Sequence, residues 1–312
     1  MRSKWWMSSP FPISTDFSRR NKATQIINNP IITNARFPKR AFAYQKTPPL
    51  CGIETVSTMK ILAIGDVVGQ GGVDHLRSKL PAVKRLHGID LTVVNGENSA
   101  KGNGISPDSA EQILMAGADV ITTGNHVFKL RQIYDYLENS RYVIRPANYP
   151  PSAFGCGCTV VDTVKGRVLV INVLGTVTLE PLACPFDTVE RILKREEGNY
   201  DIAVLDVHAE ATSEKAALAR YFDSRIQVVF GTHTHVQTAD ARILPKGTGF
   251  ITDLGMCGPV DSVLGVRSDI IIDRLRTHMP RVFEYADGVC EATGAIFTVE
   301  NGKTVDVAPI RF

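Results

Sequence analysis

Long apolar runs are missing from this chain. No window approaches the roughly 18–20 uninterrupted apolar residues that a bilayer-spanning helix needs, so a soluble protein with no membrane partner is expected. Paired cysteines are missing too. The six in 312 residues (Cys51, Cys156, Cys158, Cys184, Cys257, Cys290) are scattered, and a chain of this length needs no disulfide staples, which points to a reducing, cytoplasmic setting. Cys156-Gly157-Cys158 has no second Cys/His pair at zinc spacing and reads as ordinary loop or strand cysteine. There is no internal repeat, no heptad pattern and no low-complexity stretch. A dinucleotide fingerprint is also absent, because Gly69-Gln70-Gly71-Gly72 does not have Gly-x-Gly-x-x-Gly spacing.

Excess positive charge is confined to one end. Of 35 Lys/Arg and 32 Asp/Glu, residues 1–58 hold nine basic and two acidic residues, so the remainder carries 26 basic against 30 acidic. A mildly acidic body offers no dedicated surface for a nucleic-acid backbone. The leader has both tryptophans, no sustained apolar period and no hydrophobic core of a secretory signal, so it is expected to be disordered. Two origins fit it. Met59 is the true start and the leader is mis-assigned upstream sequence, or the leader is an organellar transit peptide, which would make the location organellar.

The whole chain is 44% hydrophobic, ample for a core in residues 59–312. Apolar strand-length runs at 61–64, 91–94 and 120–123 alternate with helical patterns at 73–86, 107–115 and 130–137. That alternation predicts α/β architecture built from βαβ units. Ser106-Pro107 predicts a helix start. Further strands are expected at 168–173, 202–207 and 228–230, with helices at 187–194 and 213–222. Toward the end, 295–299 and 304–308 flank Asn301-Gly302 and predict an antiparallel hairpin.

Polar clusters stand directly after these runs. Asp66 follows 61–65; Glu97 and Asn98 follow 91–96; Asn125 and His126 follow 120–124; His208 ends 202–207; His233 and His235 follow 228–231. In open α/β sheets such strand ends converge on one site. Singly, each has a plain explanation: an Asp there caps a helix, Asn-Gly and Gly-Asn make turns, and a His is a satisfied polar side chain. Five sites at successive strand ends, holding four of the seven histidines, argue instead for metal binding. His75, His87 and His278 fall in or beside helical patterns and read as structural. His233 and His235, two apart on an extended segment, are expected on the same side, one for each of two cations. Oxygen and imidazole donors without thiolate suit manganese, iron or zinc.

Gly124-Asn125-His126 and Gly231-Thr232-His233-Thr234-His235 resemble the blocks of calcineurin-like metallophosphoesterases. The usual Asp-x-His is here Asp66-Val67-Val68, and the usual Gly-Asp is Gly96-Glu97-Asn98. Both departures resemble the YmdB-like phosphodiesterases, as do Gly65-Asp66-Val67-Val68-Gly69, Asp206-Val207-His208-Ala209-Glu210 and Thr252-Asp253-Leu254-Gly255-Met256-Cys257-Gly258-Pro259.

The resemblance implies a two-sheet β-sandwich flanked by helices in four layers. It implies two metal ions per chain, iron or manganese ahead of zinc. One would be held by Asp66, Glu97, Asn98 and His235, the other by Glu97, Asn125, His208 and His233. It further implies hydrolysis of 2′,3′-cyclic nucleotides to 3′-monophosphates by a hydroxide shared between the metals, with His126 as proton donor. A broader phosphatase or nuclease, or a regulatory metal-binding scaffold, are the other readings, and a homo-oligomer is expected. Glu210 is expected to orient His208, and residues 255–259 to form a turn or a loop near the phosphate.

Overall fold

The computed structural model describes residues 58–312; the expectations for the leader lie outside the described residues. The first half of the fold runs β1 (Thr58–Ile64), β2 (Asp66–Val67), α1 (Gly69–His87), β3 (Leu91–Asn95), α2 (Pro107–Ala116), β4 (Val120–Thr122) and α3 (Tyr134–Asn139). Next come β5 (Cys158–Thr163), β6 (Gly166–Leu174), α4 (Pro185–Arg195), β7 (Ile202–His208), α5 (Thr212–Tyr221) and β8 (Val228–Thr232). The chain then forms β9 (Arg242–Ile243), β10 (Gly249–Ile251), β11 (Met256–Pro259), α6 (Ser268–Thr277), β12 (Cys290–Glu300) and β13 (Lys303–Arg311).

Two sheets result, ordered β2-β11-β12-β1-β3-β4 with β13 beside β12, and β5-β6-β7-β8-β10-β9. Neighbours β1, β3 and β4 run parallel, as do β6, β7, β8 and β10. Period-2 alternation explains why these strands read as unbroken apolar runs. In β1, Ile61 and Ala63 face the second sheet, packing with Val170, Val204 and Phe230, while Leu62 and Ile64 face the helices. In β7, Val204 points into the sandwich and Leu205 and Val207 point at α4 and α5. Both faces are covered, so both need apolar residues. The layers are therefore α1–α3, sheet, sheet, α4–α5, the expected four-layer sandwich.

Local chemistry sets several boundaries. Ser106 Oγ accepts from Ser109 N at 3.1 Å while Ser109 Oγ accepts from Ser106 N at 3.0 Å, and Pro107 opens α2. Asn301 and Gly302 close the β12–β13 hairpin with φ of 50° and 74°, the two positive φ values of a type I′ turn. The helix expected at 130–137 is a 3-10 turn at Arg131–Ile133 followed by α3. Residues 256–259 form neither a turn nor a loop but strand β11, paired with β2 and β12.

One segment was marked in the sequence only by the helical pattern beside His278. Residues 260–289, between β11 and β12, carry α6, which buries no residue. Backbone bonds from Ala286 N to Gly265 O (2.9 Å) and Arg267 N to Glu284 O (3.0 Å) fold this strap on itself beside the strand ends.

Candidate metal centre

All eight residues singled out in the sequence meet in one network where the parallel strands of both sheets end. Asp66, Glu97, Asn98 and Asn125 come from the first sheet, and His208, His233 and His235 from the second. Glu97 lies at the centre: its Oε1 is 3.2 Å from His208 Nε2 and 3.3 Å from His126 Nδ1, and it accepts from Asn98 Nδ2 at 3.1 Å. Its Oε2 accepts from the His126 amide at 3.0 Å. On one side Asn98 Nδ2 lies 3.3 Å from His235 Nε2, which is 3.6 Å from Asp66 Oδ1. On the other, His208 Nε2 meets Asn125 Oδ1 at 3.0 Å and His233 Nδ1 at 3.1 Å. Glu97, His208 and His233 bring donor atoms within 4.8 Å of one another.

The donor set fits cations. Asp66 and Glu97 are fully buried carboxylates, and Asp66 Oδ1 has no hydrogen-bond partner while Oδ2 accepts from the His233 amide at 3.0 Å. A buried bare carboxylate oxygen is costly unless an ion pairs with it. The imidazoles take up part of that demand. Burial pushes the Glu97 carboxyl up, but His208 and His126 outweigh it and hold it well below the usual range. Burial pushes His208 down, and Glu97 and Asp66 overcome it, lifting the ring to about 9. Burial and the neighbouring His208 hold His233 down to about 4, leaving a neutral ring able to donate a lone pair. Gly124 lets the backbone pass behind the cluster: a Cβ there would lie 2.2 Å from His208 Nε2 and 2.4 Å from Glu97 Oε2.

Beneath the cluster lies a polar seam between the sheets. Asp206, fully buried, accepts from Thr122 Oγ1 at 2.5 Å, Thr232 Oγ1 at 2.8 Å and Asn95 Nδ2 at 3.3 Å. Burial pushes its carboxyl up to about 6. Because Thr232 spends its single proton on Asp206, it accepts the proton of His208 Nδ1 at 2.9 Å. That arrangement turns Nε2 toward Glu97.

Two expectations are corrected here. His233 and His235 do not lie on an extended segment: β8 ends at Thr232, and they have φ of 98° and 62°. The turn is imposed by backbone capture, Asp66 taking the His233 amide and Asp253 Oδ2 taking the Thr234 amide at 3.1 Å. Glu210 does not orient His208; its Oε2 is 3.2 Å from His233 Nε2, and Thr232 holds His208 instead.

Several contributors were invisible in the sequence. Lys215, fully buried on α5, donates from Nζ to Asp253 Oδ2 at 2.7 Å and so backs the two-histidine turn. From the strap, Leu264 O lies 3.1 Å from His235 Nδ1, and Tyr285 Oη reaches Asn98 O at 3.1 Å. The plain reading of His75 holds, since its Nε2 contacts Phe312 O at 2.9 Å, far from the centre. Cys156 lies in a loop and Cys158 opens β5, with no metal-type grouping around them among the described residues.

Stacked sheets with carboxylates, amides and imidazoles gathered at their strand ends define a metallophosphoesterase. The YmdB-like protein family model matches residues 62–310, so the chain belongs to the YmdB-like family, as its motifs implied. It is 41% identical over 243 residues to a 2′,3′-cyclic-nucleotide 2′-phosphodiesterase of Bacillus subtilis, covering 78% of this chain and 92% of that protein. A Mycoplasma pneumoniae structure described as a novel phosphatase superposes with a TM-score of 0.77 at 33% identity, covering 82% of this chain and 93% of the other. A Thermus thermophilus protein of known structure gives the same TM-score at 38% identity over 81% of this chain and 99% of its own.

Proposed function

We propose that this chain is a metal-dependent phosphoric diester hydrolase that opens 2′,3′-cyclic nucleotides to 3′-monophosphates. The observation that carries the reading is the junction of two buried carboxylates, Asp66 with its bare Oδ1 and Glu97, with three imidazoles at the ends of both sheets. The name of the Bacillus subtilis relative supports the substrate class.

Asp66, Asn98 and His235 would hold one cation and Asn125, His208 and His233 the other, with Glu97 common to both. These oxygen and imidazole donors suit iron, manganese or zinc, and the family resemblance favours iron or manganese. Bound there, the pair supplies Lewis acidity, lowering the pKa of water and neutralising the phosphate.

The chain's own groups do the rest. His126 is tied through Nδ1 to Asn98 Oδ1 at 2.9 Å and faces Glu97 Oε1, which fixes the ring and leaves Nε2 to deliver a proton to O2′ as the P–O2′ bond breaks. Glu97 also takes the His126 amide, so the proton donor and the metal ligand move as one unit. The free, dispersed cysteines of the described residues suit a reducing cytoplasm.

The test is hydrolysis of 2′,3′-cyclic AMP by the full chain loaded with manganese or iron, with metal content measured on the same sample. His126→Ala is expected to keep its metal and lose about 10²–10⁴ in kcat. A loaded protein that cleaves simple phosphomonoesters but no cyclic diester would replace this reading with the phosphatase one suggested by the Mycoplasma pneumoniae relative.

A further inference from the structure

We propose that Phe283, with Leu264 and Val266 beside it, is the platform on which the substrate's nucleobase rests, and that Tyr285 fixes this platform to the metal centre. The inference rests on the phosphodiesterase reading above and adds what that reading leaves open, namely which residues receive the part of the substrate that is not phosphate.

The cavity over the centre has a volume of about 310 Å³ and two unlike sides. Its floor is Glu97, Asn98, His126, His233 and His235; its wall is Leu264, Val266, Phe283 and Tyr285, all from the strap. Phosphate and ribose match a floor of charge and hydrogen-bonding groups. They have nothing to offer an apolar, aromatic wall, which a flat heterocycle would cover.

The wall is pegged in place. Tyr285 Oη accepts from the Asn103 amide at 3.1 Å and lies 2.8 Å from Asn103 Oδ1 and 3.1 Å from the carbonyl of Asn98. Its ring packs on Gly69, where a Cβ would come within 2.6 Å of Cδ2. Leu264 holds His235 through its carbonyl. The Arg274 guanidinium sits 4.7 Å from the Phe283 ring centroid and backs the platform from α6. A surface already ordered spends little binding energy on ordering itself.

The bland alternative is that Phe283 only anchors the strap to Arg274. The two accounts separate on a pair of substrates sharing the reacting group: 2′,3′-cyclic AMP and glycerol 1,2-cyclic phosphate, a five-membered cyclic diester with no base. In the metal-loaded full chain, Phe283→Ala is expected to lower kcat/KM for cyclic AMP by roughly 5- to 150-fold, the range that base stacking contributes, and to change the glycerol ester by no more than about twofold. Phe283→Trp, which keeps an aromatic face and the packing, is expected to retain the preference for cyclic AMP. Equal losses on both substrates, no loss on either, or a Phe283→Trp enzyme that has lost the preference would overturn the platform. Wild-type enzyme that cleaves neither ester would instead remove the phosphodiesterase reading, and the platform with it.

Discussion

Replacing Lys215 by Met should destabilise the protein by about 3–4 kcal/mol at neutral pH and by much less in mild acid. Lys215 and Asp253 are 0% and 1% exposed and meet at 2.7 Å. Removing one member of a buried pair typically costs about 3–5 kcal/mol. Two features hold the cost to the lower part of that range. Asp253 keeps the amides of Thr234 (3.1 Å) and Gly255 (2.8 Å) as donors. It can also escape by protonation, for burial already pushes its carboxyl up against the pull of Lys215. Protonating a carboxyl of unfolded pKa near 3.8 costs about 4 kcal/mol at pH 7 and about 1.6 kcal/mol at pH 5, which caps the penalty at each pH. The sign follows from a raised folded-state pKa: the variant gains stability as pH falls toward the unfolded value. Urea unfolding of both proteins at pH 7 and pH 5 measures this. A pH 7 cost below about 1 kcal/mol, or one that does not shrink at pH 5, would refute the buried-pair argument.

Glu97→Gln should strip metal from both positions, because the proposed ligand sets share this residue; metal analysis showing an unchanged content would remove it from the ligand set. Gly124→Ala places a methyl group 2.2 Å from His208 Nε2 and should weaken metal affinity by about 10–100-fold while the fold survives, as followed by chelator competition and circular dichroism. Gly302→Ala meets nothing within 4 Å, so only its φ of 74° is strained. A loss of about 1 kcal/mol in unfolding free energy is expected, with activity unchanged.

The sandwich strands were readable because each carries its own evidence: β1 and β8 hold unbroken apolar runs, Ser106-Pro107 announces α2, and Asn301-Gly302 announces the last hairpin. The site residues were readable because the chain returns to the same end of the sheets after each such strand. What escaped depends on partners distant in sequence. Lys215 looks like a solvent-facing helix residue until Asp253, 38 positions on, is placed against it. Strand β11 is four residues long and owes its state to β2 and β12. Helix α6 has no buried face, so the helical pattern beside His278 did not fix its bounds, and nothing marked Phe283 beside the cavity. The turn at His233 and His235 came from two carboxylates, Asp66 and Asp253, taking backbone amides, which spacing alone does not reveal.

The seam around Asp206 has a consequence for how the two sheets stay aligned. An interface of aliphatic side chains resists separation but penalises sliding only weakly, since one apolar contact replaces another at similar energy. A carboxylate on β7 that takes hydrogen bonds from Thr122 on β4 and Asn95 on β3 works as a dowel through the sandwich, because any slip would leave a buried charge unmet. Since four of the seven proposed ligands ride on one sheet and three on the other, the spacing between the proposed metal positions would be set by that dowel as much as by the ligands. Grafting the eight site residues onto another sandwich without Asn95, Thr122, Asp206 and Thr232 would transfer the donors and lose their alignment.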